Sequence, residues 1–270
     1  MPQVPRSPTR ELARLCWPEL ARQAGRPGST VIWPFGAFEQ HGPHLPLATD
    51  ALFAERVCIA ALERLDPDLP IWRLPTQTIG FSPEHRGFAG TLSLPAPTLL
   101  ALVEAVGRDL AAAGFQRLVL FNAHGGQIAL LEVAARSLHA TCPALAVLPC
   151  FLWRGPEGIG AMIPEPERSE GLHAGLAETS LMLHIEPGLV GPERKPDGVL
   201  SPPAPEGWGL EGEAPTAWLT RELSDSGVIG DPRGANENLG AELFERLVEG
   251  WRRRLDGLLR SDWPPRLPPC

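Results

Sequence analysis

Apolar residues along the chain fall into two alternating kinds of segment. Short, nearly continuous apolar runs occur at residues 30–35 (TVIWPF), 117–121 (RLVLF) and 144–150 (ALAVLPC). The first reads as a buried strand, the second as a central strand of a parallel sheet, and the third as another strand. Residues 71–79 (IWRLPTQTI) read as a further short strand region, broken by Pro75. Between the runs, residues 50–64, 98–113, 127–139, 175–185 and 236–258 carry apolar side chains at helical spacing, and a shorter helix is predicted over 11–23. Pro97 sits where the second of these helices would start and Gly114 where it would stop. Strands alternating with helices predict an α/β fold: a single layered domain with a mostly parallel sheet flanked by helices. Residues 154–171 are rich in Gly, Pro and Glu and read as a loop. Residues 187–217 are dominated by Pro and Gly and read as an excursion over the surface or toward a neighbouring subunit.

Composition changes this picture little. The chain has 270 residues, enough to bury a substantial core. Its 31 prolines and 28 glycines are dispersed, so turns are expected rather than disorder. The formal net charge of −8, with no Lys/Arg block, argues against nucleic acid as a partner. No signal peptide and no membrane-spanning stretch is read from the sequence, so no membrane association is expected. The five cysteines are odd in number and lack CxxC spacing, which fits unpaired thiols in a reducing cytoplasm.

The chemistry concentrates in segments that follow predicted strands. In a parallel sheet the carboxyl ends of the strands form the ligand-binding edge. The loop after the first strand, EQHGPHLPLATD, places Glu39, His41, His44 and Asp50 close together with little charge to balance the carboxylates. Imidazole and carboxylate are both good ligands for a divalent cation such as zinc or manganese. In an extended segment Glu39 and His41 point to the same side. Asp50 could instead cap the helix it opens, and His44 is read as a hydrogen-bonding neighbour of a ligand. After the 117–121 strand comes NAHGGQ, with His124 followed by Gly125 and Gly126. Its alternatives are a structural histidine or a phosphate-cradling turn, but no GxGxxG or GxxxxGK[ST] pattern accompanies it. A third segment, HAGLAETS, holds His173 and Glu178. On a regular helix these would diverge by about 140°, and Gly175 allows His173 to lie just before the helix, so separate roles are expected. Glu178 could be an ordinary solvated carboxylate, but its flanks are largely apolar.

On these residues the sequence resembles the creatininase (creatinine amidohydrolase) family. The family pattern combines an E-x-H-G-P-H-L-P-x-x-T-D loop, an N-x-H-G-G turn and an H-A-x-x-x-E-T-S segment, and all three stand here. Ser82-Pro83-Glu84-His85 followed by Gly90-Thr91-Leu92-Ser93, and SGVIGDPRGA at 226–235, are similar too. The resemblance implies a metallohydrolase domain over 29–260, between an extension over 1–28 and a Pro-rich tail over 261–270. It implies two divalent metal ions bridged by Asp50, with Glu39 and His124 on one and His41 on the other; zinc comes first, then manganese or iron. Glu178 would be an additional ligand and His173 the acid/base. Ser82, His85, Gly125 and Gly126 are expected to meet substrate. Family members are often hexameric, so a homo-oligomer is expected.

One departure matters. Creatininase itself has an aromatic residue and a carboxylate where this chain has Gly125 and Gly126. One metal ligand is then missing or supplied from elsewhere, with Glu178 the candidate, and creatinine is a poor expected substrate. The resemblance thus implies hydrolysis of a small amide, cyclic or formyl, by a metal-activated water. A peptidase acting on a modified peptide is the alternative, and a metal-binding relative without catalysis is a third reading.

Overall fold

The computed structural model describes residues 10–198 and 204–264. Four strands form one sheet: β1 (Thr30–Phe35), β2 (Ile71–Arg73), β3 (Arg117–Asn122) and β4 (Ala146–Phe151). The order is β2-β1-β3-β4 and every pairing is parallel. Trp33 pairs in register with Leu120, and Leu120 with Pro149. In β1 and β3 every residue is buried, because side chains alternate between two covered faces. Val31, Trp33, Phe35, Leu118 and Leu120 enter one apolar cluster, whereas Ile32, Val119 and Phe121 enter the other. This is the physical reason for the unbroken apolar runs in the sequence.

Helices cover both faces. On one side lie α1 (Trp17–Ala24), α3 (Ala96–Ala113) and α4 (Ile128–Thr141). On the other lie α2 (Thr49–Glu63), α6 (Leu176–Ile185) and the long α8 (Glu237–Leu259). Two single-turn helices, α5 (Glu167–Glu170) and α7 (Thr220–Leu223), sit in the connecting segments. The α/β expectation holds, with a parallel sheet between helical layers.

The differences from the predicted elements are local. The helix expected over 11–23 is split into a 3-10 turn at Leu12–Arg14 and α1, with Pro18 in the first turn of α1. Proline lacks the N–H needed deeper in a helix and fits the first turn. The strand expected over 71–79 ends at Arg73, before Pro75; Gln77 keeps a single bridge to Phe35. The loop expected over 154–171 contains α5. Gly114 ends α3 in a left-handed conformation, φ 103°, as its position suggested. Cys16, Cys58, Cys142 and Cys150 are unpaired. Parts of the 1–28 and 187–217 segments and of the 261–270 tail, including Cys270, lie outside the described residues.

Candidate metal centre

The connection leaving β1 leads to β2 and the one leaving β3 leads to β4, on opposite sides. The crevice between the carboxyl ends of β1 and β3 is therefore the topological switch point, where open α/β sheets bind ligands. Glu39 and His41 follow β1, and His124 follows β3. Asp50 is the second residue of α2, whose first turn lies against the end of β1. Gly36 permits that approach, because a Cβ there would overlap the backbone of Asp50 and Ala51. Asp50 does not cap α2; the N-cap is Ala48, without a side-chain bond.

These four side chains converge and are almost fully buried. His124 Nδ1 is 3.2 Å from both Glu39 Oε1 and Asp50 Oδ2. His41 Nε2 is 3.5 Å from Asp50 Oδ1 and 3.9 Å from Glu39 Oε1. Each ring is oriented by its other nitrogen. His124 Nε2 lies 3.0 Å from the Phe81 carbonyl, and His41 Nδ1 lies 3.2 Å from the Glu39 carbonyl. A carbonyl can only accept, so these nitrogens carry the proton of the neutral ring, and the opposite ones face the carboxylates, where a cation would replace the second proton. Both Glu39 oxygens, His41 Nε2 and Asp50 Oδ2 lack a hydrogen-bond partner among the described residues. Buried polar atoms are seldom left so. A divalent cation would satisfy them all, and the donor set suits zinc or manganese.

Charge within the cluster supports this. Burial opposes protonation of His41, but Asp50, Glu178 and Glu39 outweigh it and raise its pKa to about 9. His124 is raised as well, against burial, by Glu39 and Asp50. Asp50 is held below the usual carboxylate range: His41 and His124 overcome the burial penalty.

His173 precedes α6 rather than lying in it. Ala174, in the left-handed region at φ 53°, turns the chain into the helix, and Glu178 reaches back to accept the Ala174 N–H at 2.6 Å. Because His173 lies outside the helix, the angular argument that separated it from Glu178 does not apply. Ligand atoms of His41, His173 and Glu178 all lie within 4.8 Å of one another. Burial, then repulsion from Asp50 and Glu39, pushes the Glu178 carboxyl up to about 7, with His41 pulling the other way. His173 is pushed well down by burial and by the neighbouring His85 and His41. His44 bonds the Thr179 hydroxyl at 2.8 Å and stands behind the cluster.

The expected substrate residues divide. His85, Gly125 and Gly126 line the cavity, whereas Ser82 is fully buried behind the His124 ring, 3.3 Å from Nε2. From the sequence Glu84 stands out only within the Ser82-Pro83-Glu84-His85 segment and, with His85, as the next group to carry the proton if His173 does not; its place beside His124 was not foreseen. Its carboxylate stands 3.3 Å from His124 Nε2, and a Cβ on Gly126 would overlap it. The space freed by glycine is thus filled by a carboxylate from another loop. Glu39, Glu84 and His124 form one of the groups with metal-ligand spacing. Gln127 was also missed. Its amide joins Gly36 O, Asn122 Oδ1 and Phe81 N, tying three site loops together. Trp153 and Trp218, with Phe151, supply an aromatic wall to a cavity of about 660 Å³ over the cluster. Nothing local in the sequence marks these tryptophans, since they come from segments far from the motifs.

Comparison with known proteins agrees with this geometry. The creatininase family, described as creatinine amidohydrolase, matches residues 13–255. A mycofactocin precursor peptide peptidase of Mycobacterium tuberculosis is 35% identical over 251 residues, covering 88% of this chain and 86% of that protein. The creatinine amidohydrolase of Pseudomonas putida is 30% identical over 207 residues, covering 72% and 77%. The solved structure "Creatininase Mn" superposes with a TM-score of 0.72 at 26% identity, covering 94% of this chain and all of that one. The chain belongs to the creatininase family of hydrolases.

Proposed function

We propose that this chain is a metal-dependent hydrolase of an amide C–N bond in a peptide-like substrate. The observation that carries the reading is the set of buried, unpartnered ligand atoms on Glu39 and Asp50, which line an open cavity of about 660 Å³, together with His41 Nε2, 3.5 Å from Asp50 Oδ1. A cavity of that size accepts a ligand larger than one small ring. The Mycobacterium relative is named a peptide peptidase and resembles this chain over more of its length than the Pseudomonas enzyme does. Together these favour the peptidase alternative over a cyclic amide or formamide.

Glu39, Asp50 and His124 would hold one divalent ion and His41 with Asp50 and Glu178 a second; zinc or manganese suits the donors. Such ions supply Lewis acidity, lowering the pKa of water and polarising the scissile carbonyl. His173 works on protons. Its Nε2 is 2.7 Å from the Gln40 carbonyl, so Nδ1 presents a lone pair to the cluster, 3.9 Å from Glu39 Oε1. That lone pair takes the proton from the attacking water and returns it to the leaving nitrogen. The aromatic wall excludes water from the substrate flank. A hexamer in the cytoplasm belongs to the same proposal, checked by the solution mass against the 29.2 kDa chain.

Zinc- and manganese-loaded protein assayed on short peptides, formamides and creatinine tests the reading. Peptide hydrolysis that chelation abolishes and metal restores is the expected result. Turnover of creatinine rivalling the best peptide would overturn it in favour of the small-amide reading.

A further inference from the structure

Four imidazoles surround the Glu39 carboxylate, and three present lone pairs to the cluster: His41, His124 and His173. The fourth, His85, is different. Its Nδ1 lies 2.9 Å from Gln40 Nε2. The orientation of the Gln40 amide is fixed by two backbone groups: Oε1 accepts from Gly42 N at 2.8 Å and Nε2 donates to Gly227 O at 3.0 Å. Flipping the amide would set donor against donor and acceptor against acceptor. The second N–H of Gln40 therefore points at His85 Nδ1, which must accept it. The Thr220 hydroxyl, 2.8 Å from the same nitrogen, can donate as well. The proton of neutral His85 is then on Nε2, the atom 3.4 Å from Glu39 Oε1. Gln40 also orients His173, through its backbone carbonyl. The two rings stack with centroids 4.1 Å apart. Gln40 thus sets a donor and an acceptor side by side at the carboxylate cluster.

We propose that His85 is the hydrogen-bond donor of this site and not a metal ligand, and that Gln40 is the positioning residue that makes it so. Ligand spacing alone would admit Glu39, His85 and His173 as a metal triad. The Gln40 amide excludes that, since His85 has no lone pair free to offer. His85 lines the cavity beside His173. Its N–H meets the substrate oxygen on which negative charge grows while His173 handles the proton. This catalytic part rests on the hydrolase reading; the position of the proton does not.

Zinc-loaded protein labelled with ¹⁵N-histidine provides the test. Long-range ¹H–¹⁵N spectra should show His85 protonated at Nε2 with Nδ1 as acceptor. Gln40→Glu places a carboxylate oxygen against Nδ1 and should draw the proton there. His85→Gln and His85→Asn should both keep the full zinc content. On the peptide substrate, turnover should fall about 10²–10³-fold in His85→Asn, the range for losing one such donor. His85→Gln, whose amide reaches the place of Nε2, should fall less, with KM changed little in both. Loss of zinc from both folded variants would make His85 a ligand and overturn the proposal. So would a proton on Nδ1 in the wild-type protein. An unchanged tautomer in folded Gln40→Glu would remove Gln40 from the device. If Gln40→Glu does not fold, the wild-type spectra and the two His85 variants decide. If no peptide is cleaved, the hydrolase reading fails separately, and spectra and zinc content still answer for His85.

Discussion

At the scale of single residues, the proposed metal uptake and the proposed catalysis both turn on where protons sit. His41 holds its proton up to about pH 9 in the metal-free protein, burial being outweighed by Asp50 and its neighbours. A ligand must lose that proton to bind, so zinc uptake releases protons at neutral pH. Apparent zinc affinity should therefore rise with pH until about 9, and titration calorimetry in buffers of different ionisation enthalpy measures the release. Asp50→Ala removes the carboxylate shared by His41 and His124, and elemental analysis should find at least one zinc equivalent lost; full retention would refute the bridging role. His173 has a different signature. Replacing a general acid/base typically costs about 10²–10⁴ in rate. His173→Gln should lose turnover on that order while keeping its zinc. Loss of zinc instead would make His173 a ligand, which its spacing to His41 and Glu178 allows.

At the scale of elements, close packing holds the site in register. The α6–α8 crossing is tight at Gly240, where a Cβ would overlap the Ser180 carbonyl. Ser180 lies two residues beyond Glu178 on α6, so pushing the helices apart displaces the carboxylate from His41. Gly240→Ala is expected to cost about 1–3 kcal/mol, the range for overpacking a close contact. A thermal melt reads the stability, and zinc content reads the movement of Glu178. A melt and a zinc content both equal to wild type would show that the crossing does not position the site.

At the scale of the whole molecule, the reactive floor is assembled by the sheet and the access to it by the excursion between α6 and α8. Trp218 stands 6.5 Å from His85 in an edge-on contact, and its indole N–H bonds the Leu210 carbonyl at 3.2 Å. It is placed to hold substrate rather than to hold metal. Trp218→Ala should raise KM for a peptide several-fold with zinc content unchanged. An unaltered KM would mean that the substrate lies along Trp153 instead. Among the described residues no helix is long and apolar enough to cross a membrane.

The α/β class and the candidate residues of the site were legible in the chain before folding is considered. Apolar runs gave the buried strands, because burial on both faces leaves no room for alternation. The EQHGPHLPLATD, NAHGGQ and HAGLAETS segments exposed Glu39, His41, Asp50, His124, His173 and Glu178, because each segment carries its ligand types at short range. Tertiary structure decided what depends on groups distant in the chain. Glu84 enters the space left by Gly126 from a loop some forty residues earlier. Gln40 assigns the proton of His85 only once Gly227 and Thr220 are folded against it. His173 and Glu178 come together because Ala174 turns the chain outside the helix, which no helical period can express. Hydrogen-bond direction, unlike hydrophobic period, is written in three-dimensional contacts, and the proposed division between ligand, base and donor rests on it.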